Sequence, residues 1–300
     1  MSNLYHKIIK GENLIIKNRN GEIIKTDSAT KNQKFLYNCF LGRILLKVLI
    51  QPIISKIAGC FMNSHFSKIM IKSVIKKQNF DMSLYEKNSF TSFNDFFTRK
   101  LKEENIRIDT EKNNFISPCD SKLSVYSIDK NSCFAIKNSY YNISGLLKNE
   151  NLAEKYEGGY ILIFRLEVTD YHRYIYTDNG SFTRNNYIKG VLHTVNPIAT
   201  TKYPVYKQNS RSYAILNTEN FGNIIQMEVG ALMVGKIKNH HENYTFKRGE
   251  EKGLFLFGGS TVIIMVEKNR IIIDSDIIQN SLNNCETIVK IGEKIGVSFL

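Results

Sequence analysis

The sequence predicts an α+β protein, with a basic, helix-rich N-terminal part followed by a mainly antiparallel β barrel or sandwich. Between residues 34 and 77, apolar residues recur every three to four positions, which is typical of amphipathic helices. Beyond residue 106, short β-branched and aromatic runs are separated by Asp, Asn and Gly, which is typical of antiparallel strands. A chain of 300 residues can bury a core, and we predict one region over residues 1–105 and a second over residues 106–300.

The N-terminal part divides into a hairpin and three helical stretches. Residues 1–30 carry short apolar runs on either side of Asn20-Gly21, which predicts a β-hairpin. The stretch from residue 34 predicts helix that Pro52 should divide, and a second basic helix should cover about Ser64–Lys77. A third, shorter helix is predicted over Ser92–Lys102, with Ser92 or Asn94 as its N-cap.

Positive charge is concentrated in the N-terminal third. The formal net charge of the chain is +13, and residues 1–102 hold 18 basic and 6 acidic side chains, a net charge of +12. Such a block indicates a polyanionic partner. No recognised nucleic-acid-binding motif accompanies it, so we expect no nucleic acid partner. Lysines flanking apolar residues favour binding to an anionic membrane surface. The alternative explanation of the same pattern is a helical subdomain whose solvated face is basic.

Several classes of protein are disfavoured. No run of about 18 apolar residues is present, so we expect no transmembrane helix. Residues 1–10 lack the apolar core of a secretory signal peptide. The 5 cysteines show no CxxC spacing and are odd in number, which predicts reduced thiols in a cytoplasmic setting and no metal site built from them.

The second region contains many short predicted strands. Only residues Asn142–Glu157 look helical there. The predicted strands are Leu123–Ile128, Tyr160–Val168, His172–Tyr176, Gly190–Val195, Ala214–Thr218, Ile224–Val229, Thr261–Val266 and Arg270–Ile273.

A Gly-Gly-Ser-Thr sequence directly before a buried strand is the most informative motif. Gly258 and Gly259 lack a Cβ, so the carbonyl group of Gly259 is open to the hydroxyl of Ser260. A serine held against an unshielded carbonyl can attack its own backbone. The simpler interpretation is a glycine turn that leads into a strand.

Three further polar residues could cooperate with such a serine. Asp120 lies in a turn before a predicted strand, where it could also be an ordinary turn cap. His172 and His193 lie on or beside predicted strands and could each act as a base, or as structural histidines. The pair His240-His241 makes a poor metal site, because adjacent residues on a strand point to opposite faces. We therefore predict no metal.

These motifs, in this order, resemble the phosphatidylserine decarboxylase family across about residues 80–300. The segments that carry the resemblance are SFNDFFTRKLK, SPCDSKL, DYHRY, GVLHTVNP, VGALMVGKI and EEKGLFLFGGSTVIIMVE. The first 80 residues match the family less clearly.

The resemblance implies a self-processing enzyme. Ser260 would attack the carbonyl carbon of Gly259, cleave the chain into fragments 1–259 and 260–300, and become a pyruvoyl group. That ketone would form a Schiff base with the amine of phosphatidylserine, and loss of CO2 would give phosphatidylethanolamine. The implied assembly is a heterodimer of the two fragments, alone or as a dimer of heterodimers. It would lie peripherally on the cytoplasmic side of the cell membrane.

The resemblance also assigns roles within the cleavage machinery. Asp120 would stabilise the charged base, and Ser260 would be the nucleophile. Many relatives carry a second histidine where this chain has Ile175, which cannot accept a proton. Either His172 or His193 then serves as the base. Ser121 replaces a glycine that relatives often have, which should alter the turn and keep the Asp120 carboxylate.

Two other functions fit parts of the pattern. A serine hydrolase would use Ser260 without cleaving itself, although the sequence lacks the glycine two residues after the serine that a nucleophile elbow requires. A non-catalytic β-domain would bind lipid or a partner protein through the basic helices, and would keep that binding without Ser260.

Overall fold

The computed structural model describes residues 13–131, 133–136, 139–200, 202–231, 236–258 and 260–299. Its helices are α1 (Lys31–Asn38), α2 (Phe40–Leu49), α3 (Pro52–Asn63), α4 (Ile69–Gln78), α5 (Phe93–Phe97), α6 (Ile143–Leu147), α7 (Glu150–Glu154), α8 (Pro197–Thr200), α9 (Val205–Gln208) and α10 (Ser275–Leu282). Short 3-10 turns cover His65–Lys68, Met82–Leu84 and Glu103–Asn105.

The strands are β1 (Asn13–Lys17), β2 (Ile23–Ser28), β3 (Asn114–Ile116), β4 (Ser121–Ser127), β5 (Cys133–Ile136), β6 (Ser139–Asn142), β7 (Tyr160–Leu166), β8 (Arg173–Ile175), β9 (Gly180–Phe182), β10 (Asn186–Ile188), β11 (Arg211–Thr218), β12 (Gly222–Gly230), β13 (Ile237–Asn239), β14 (Tyr244–Phe246), β15 (Glu251–Phe255), β16 (Ser260–Val266), β17 (Ile271–Ile273), β18 (Cys285–Val289) and β19 (Lys294–Ser298).

An 11-stranded sheet organises the described residues. Its order is β14-β9-β11-β12-β16-β7-β4-β18-β1-β2, with β10 beside β11. The pairs are antiparallel except β1 with β18. Helices together with this mainly antiparallel sheet confirm the α+β prediction. The strand order ends at β14 and β2 without closing, so the barrel does not form and the sandwich-like alternative fits. Smaller sheets are β13-β15-β8, β17-β19-β3 and β5-β6.

Strand β16 lies in the middle of the large sheet. It pairs with β12 on one side and with β7 on the other, and every one of its residues is buried. A β-branched run covered on both faces explains this burial. The sequence motif that precedes β16 therefore leads into the protein core.

The N-terminal hairpin is confirmed by the pairing of β1 with β2. Gly21, with a φ of +82°, allows the turn, and its N–H donates to the carbonyl of Asn18. The parallel pairing of β1 with β18 adds this hairpin to the large sheet. The predicted boundary between residues 105 and 106 stays a prediction.

The basic region forms the short helices α1 to α4. Pro52 divides them as predicted, because it occupies the first turn of α3 after a bend of 71° from α2. Among the described residues, no single helix reaches the length and apolarity needed to cross a membrane; α2 and α3 together reach them only as a bent pair. The helix predicted over Ser92–Lys102 is shorter, and Ser92 caps α5 by accepting from the N–H of Asp95 at 3.1 Å.

Three predictions in the second region are wrong. Residues Gly190–Val195 form a single backbone bridge, between Val191 and Asn209, and no strand, because the side chain of Asn209 bonds the N–H and the carbonyl of His193 where a ladder would continue. The helix expected over Asn142–Glu157 is the two short helices α6 and α7. The expectation that only Asn142–Glu157 is helical is also wrong, since α8, α9 and α10 form in this region as well.

Candidate active site

Ser260 is the first residue of β16 and lies between two backbone neighbours. Gly230 on β12 and Leu166 on β7 are its partners in the sheet register. Ser260 is fully buried, and its Oγ has no hydrogen-bond partner among the described residues. A buried hydroxyl without a partner costs about 1–3 kcal/mol, so its presence calls for an explanation.

The segment before Ser260 is held by aromatic packing and one side-chain bond. The N–H of Phe257 donates to Asn94 Oδ1 at 2.9 Å, and the Phe257 ring contacts Phe93 and Phe97 edge to face. Gly258 has a φ of +133°, a conformation that residues with a Cβ rarely adopt. Gly259, the residue expected to be attacked, lies outside the described residues.

His172 is buried with one ring nitrogen engaged and the other free. Its Nδ1 lies 2.9 Å from the carbonyl oxygen of Asp170, and since a carbonyl only accepts, Nδ1 carries the proton. Its Nε2 therefore carries the lone pair, and it has no partner among the described residues. Burial, together with the positive charge of Arg99, lowers the pKa of His172 to about 3, so the ring is neutral near pH 7.

His172 lies beside the segment that leads to Ser260. Its carbonyl oxygen accepts from the N–H of Phe255 at 2.9 Å. Its ring packs at 3.9 Å on Phe97, and Phe97 also contacts Phe257. The structure thus connects His172 to residues three and five positions before Ser260.

His193 lies in the loop between β10 and α8. Its Nδ1 lies 3.2 Å from the hydroxyl of Tyr37, which itself accepts from the N–H of Thr194. Nδ1 of His193 is therefore engaged by the Tyr37 hydroxyl, in a bond whose direction is set by the tautomer of the ring. The ring stacks on Tyr203 at 4.7 Å, and burial lowers the pKa of His193.

Asn209 connects the His193 loop to the residue opposite Ser260. The side-chain nitrogen of this buried asparagine donates to the carbonyl of His193 and to the carbonyl of Gly230, both at 2.8 Å. Because Gly230 is the register partner of Ser260, His193 also belongs to the surroundings of β16. Neither Asn209 nor Tyr37 was found from the sequence, since neither lies in a motif that suggests chemistry.

Asp120 lies at the end of the turn before β4 and bonds the turn between β18 and β19. Its carboxylate accepts from the N–H of Ile291 at 2.9 Å and from Lys290 Nζ at 3.0 Å. These are its hydrogen bonds among the described residues, and neither involves a histidine. Its assignment as the residue that stabilises the base stays a prediction.

Asp120 shares a cavity of about 820 Å³ with Asp170. The Asp170 carboxylate bonds Lys122 Nζ at 2.6 and 2.8 Å, and its backbone carbonyl holds His172. Burial raises the pKa of Asp170 against the opposing charge of Lys122, and the Asp120 carboxylate adds to the rise. Asp170 thus shares a cavity with Asp120 and is hydrogen-bonded to His172, a connection that the sequence did not indicate.

The two adjacent histidines have separate partners. His240 Nε2 lies 2.6 Å from Glu251 Oε1, whereas His241 Nδ1 lies 3.3 Å from the hydroxyl of Tyr176. Within the part of the chain that the structure describes, no group of three or more His, Cys, Asp or Glu side chains could hold a metal ion.

Comparison with known proteins confirms the resemblance. The family model for phosphatidylserine decarboxylase matches residues 93–297. A protein of Clostridium acetobutylicum named phosphatidylserine decarboxylase proenzyme 2 is 48% identical over 286 residues, covering 94% of this chain and 98% of that protein. Proteins named phosphatidylserine decarboxylase proenzyme from Clostridium tetani and Fusobacterium nucleatum are 43% and 39% identical, each over 94% of this chain. On this likeness in sequence and length, the chain belongs to the phosphatidylserine decarboxylase family.

Proposed function

We propose that this chain decarboxylates phosphatidylserine to phosphatidylethanolamine and CO2, using a pyruvoyl group that it makes by cleaving its own Gly259–Ser260 bond. The observation that carries the proposal is the buried Oγ of Ser260, which has no partner among the described residues, at the start of a central strand and two residues after Gly258 with its positive φ. The names of the relatives support it, since each describes a decarboxylase made as a proenzyme.

The cleavage chemistry needs a nucleophile, an accessible carbonyl and a base. Ser260 Oγ loses its proton and attacks the carbonyl carbon of Gly259, and an ester replaces the peptide bond. Elimination then releases the Gly259 carboxylate and leaves an unsaturated residue 260. Water adds, ammonia leaves, and the small fragment begins with a keto group.

His172 is the base that the contacts favour. Its Nε2 lone pair is unpartnered among the described residues, whereas Nδ1 of His193 is already hydrogen-bonded to the Tyr37 hydroxyl. The depressed pKa keeps the His172 ring neutral, with a lone pair on Nε2, and it also makes the ring a weaker base than an exposed histidine. Asp170 fixes the orientation of the ring through its carbonyl, and Asp120 adds negative charge nearby.

The buried position of Ser260 suits a pyruvoyl group. When present, this group supplies an electron-withdrawing carbonyl that accepts the electron pair left by departing CO2. The chain's part is to hold residue 260 between β12 and β7, away from bulk water, and to keep a neutral imidazole beside the preceding segment. The two fragments then form a heterodimer.

The basic helices suit a peripheral position on the cytoplasmic side of the cell membrane. Helices α2 and α3 expose large apolar side chains beside Arg43, Lys47 and Lys56. Apolar residues framed by cations favour the interface of an anionic bilayer. Salt-sensitive co-sedimentation with phosphatidylserine-containing vesicles would test this placement, and equal binding to neutral vesicles would contradict it.

The decisive experiment combines intact-mass measurement with a CO2-release assay on wild type and on Ser260→Ala. Wild type should give two species split after Gly259, the smaller without a free amine, and should decarboxylate phosphatidylserine. Ser260→Ala should stay one chain of 34.6 kDa and release no CO2.

Ser121→Ala is the matched control, because Ser121 Oγ is also buried and unpartnered among the described residues. This variant should cleave normally. An active wild-type chain that is uncut, with an ordinary serine at position 260, would overturn the proposal. Labelling of that uncut chain by a serine-directed phosphonate would point instead to a hydrolase.

A further inference from the structure

A groove of about 770 Å³ lies between α2 and the loop that carries His193. Its volume is in the range of pockets that hold a ligand of several hundred daltons. Its lining includes Phe40, Ile44, Ile50, Val191, Tyr203 and His193. The walls are therefore mostly apolar, with a titratable ring among them.

The groove opens onto the exposed apolar side of α2. Ile44 lines the groove and is still 51% exposed, while Leu46 on the same helix is buried. The neighbouring Leu41, Leu45 and Val48 are exposed as well. An acyl chain on this face would therefore meet the groove at Ile44.

Two cations line the groove without an anionic partner. Arg43 and Lys47 are four residues apart, so they lie on the same side of α2. Neither forms an ion pair among the described residues, and no acidic side chain in the described part of the chain lines the groove. This charge is complementary to a phosphodiester, to which a guanidinium group binds with particular strength.

The groove is connected through Asn209 to the strand beside Ser260. Asn209 bonds the carbonyls of both His193 and Gly230, and Gly230 is the register partner of Ser260. Because Asn209 reaches Gly230 from the β11 edge of β12, a head group beside His193 would be separated from Ser260 by the end of this one strand.

We infer that this groove binds the substrate phospholipid, with Arg43 and Lys47 pairing with its phosphodiester and one acyl chain lying along Phe40 and Ile44. The serine head group then points to His193. This inference rests on the proposed function, and it commits to a phospholipid drawn from the bilayer rather than to free phosphate.

The test measures binding separately from chemistry. Soluble dihexanoyl phosphatidylserine is titrated by calorimetry into full-length Ser260→Ala, which cannot turn it over, and the same lipid is used for kcat and KM in the wild-type background. Arg43→Gln and Lys47→Gln should each raise Kd and KM roughly tenfold and leave kcat and self-cleavage unchanged. Glycerophosphoserine, which has no acyl chains, and inorganic phosphate should bind far more weakly.

Each control variant makes the same charge change as a groove variant, at an exposed position outside the groove. Lys56→Gln and Lys72→Gln remove one exposed cation from α3 and α4, outside the groove, and should leave Kd unchanged. Ile44→Glu should weaken binding, whereas Val48→Glu should not, although the two side chains are 51% and 53% exposed on the same helix.

The outcomes separate the inference from the proposed function. Equal Kd values for the groove variants and their controls would overturn the groove, even in an enzyme that decarboxylates normally. If the groove variants and the control variants lose affinity equally, and only for vesicles, the cations merely attract the bilayer. That result would also overturn the groove. If Kd depends on the groove residues while the wild-type chain neither cleaves itself nor releases CO2, the groove would be upheld and the decarboxylase proposal refuted.

Discussion

Ser260 Oγ and His172 Nε2 are buried polar atoms without hydrogen-bond partners among the described residues. Each forfeits about 1–3 kcal/mol relative to a satisfied group. Folded proteins rarely leave such atoms unpaired, and the exceptions concentrate at sites that do chemistry. The residue-scale argument for self-cleavage is an unbound hydroxyl at Ser260 together with an unbound lone pair at His172, whose ring packs on Phe97 beside the segment that precedes the serine.

The two candidate bases should behave differently when replaced. His172→Gln should slow self-cleavage by about 10²–10⁴-fold, because a general base contributes that much to such a step. His193→Gln should slow it less than about tenfold, since Nδ1 of His193 is already engaged by the Tyr37 hydroxyl. Time courses of cleavage on denaturing gels measure both rates. The reverse order of effects would assign the base to His193.

The pH profile is a second readout of the same assignment. With a pKa lowered to about 3, His172 stays neutral as pH falls from 7 to 5, so cleavage of folded protein should not decline there. Stability should decline, because the unfolded chain protonates the same histidine near pH 6.5. That loss begins as pH drops through about 6.5 and ends near 3, and His172→Gln should lack it. An acid limb of the cleavage rate centred near pH 6.5 would contradict the assignment.

At the scale of elements, a fully buried ion pair links strand β15 to strand β12. Lys252 Nζ lies 2.8 Å from Glu228 Oε1, and Asn239 Oδ1 accepts its second bond at 3.0 Å. Burial raises the pKa of Glu228, and the charge of Lys252 opposes that rise. Since β15 leads to the cleavage site and β12 faces Ser260, this pair fixes the two elements that flank the bond.

Breaking this pair on one side should destabilise the protein strongly. Glu228→Gln leaves Lys252 charged in the core, and we expect a loss of about 3–5 kcal/mol in the free energy of unfolding, measured by urea denaturation of the uncleavable Ser260→Ala chain. Replacing both partners by apolar residues, Glu228→Leu with Lys252→Met, should cost less.

The exposed pair of Lys100 with Glu86 is the comparison. Its atoms lie 3.0 Å apart with the side chains 45% and 39% exposed, so Glu86→Gln should change stability by less than about 1 kcal/mol. Equal losses for Glu86→Gln and Glu228→Gln would mean that the buried pair contributes nothing special.

Elements with a strong local pattern were predictable from the sequence. The run Val262–Val266 is apolar and mostly β-branched, so its strand was found, and Pro52 marked the break between two helices. Helix α10 was missed because Ser, Asn and Gln hide its apolar face. The strand predicted at Gly190–Val195 failed because a side chain, Asn209, supplies the bonds that a neighbouring strand would give.

The candidate site was predictable in its residue types and not in its contacts. Motifs alone nominated Ser260, Asp120 and the two histidines, and their roles stay predictions. Their partners lie far away in sequence: Tyr37 is 156 residues from His193, and Lys290 is 170 residues from Asp120. Such pairs follow from the path of the whole chain, which a local pattern cannot reveal.

For the whole molecule, the important fact is how the segment 260–300 is built into the sheets. Strand β16 lies between β12 and β7, and β18 lies between β4 and β1. Strand β19 pairs with β3. Each of these neighbours belongs to the segment before residue 260. The buried residues of β16 add a large apolar area to those backbone bonds.

Cleavage should therefore leave the two fragments associated. We expect fragments 1–259 and 260–300 to elute together in gel filtration under native conditions and to separate in denaturant, as judged by mass spectrometry of the fractions. Fragments that separate in native buffer would contradict the buried, central position of β16.

The central position of β16 also dictates an order of events. While the chain is whole, its covalent tether presents the last strands to their neighbours at a high effective concentration. Once severed, a 41-residue peptide would have to find two internal slots of a sheet by diffusion, against competing aggregation. Assembly must come before scission, and supplying the two halves in trans should complement poorly.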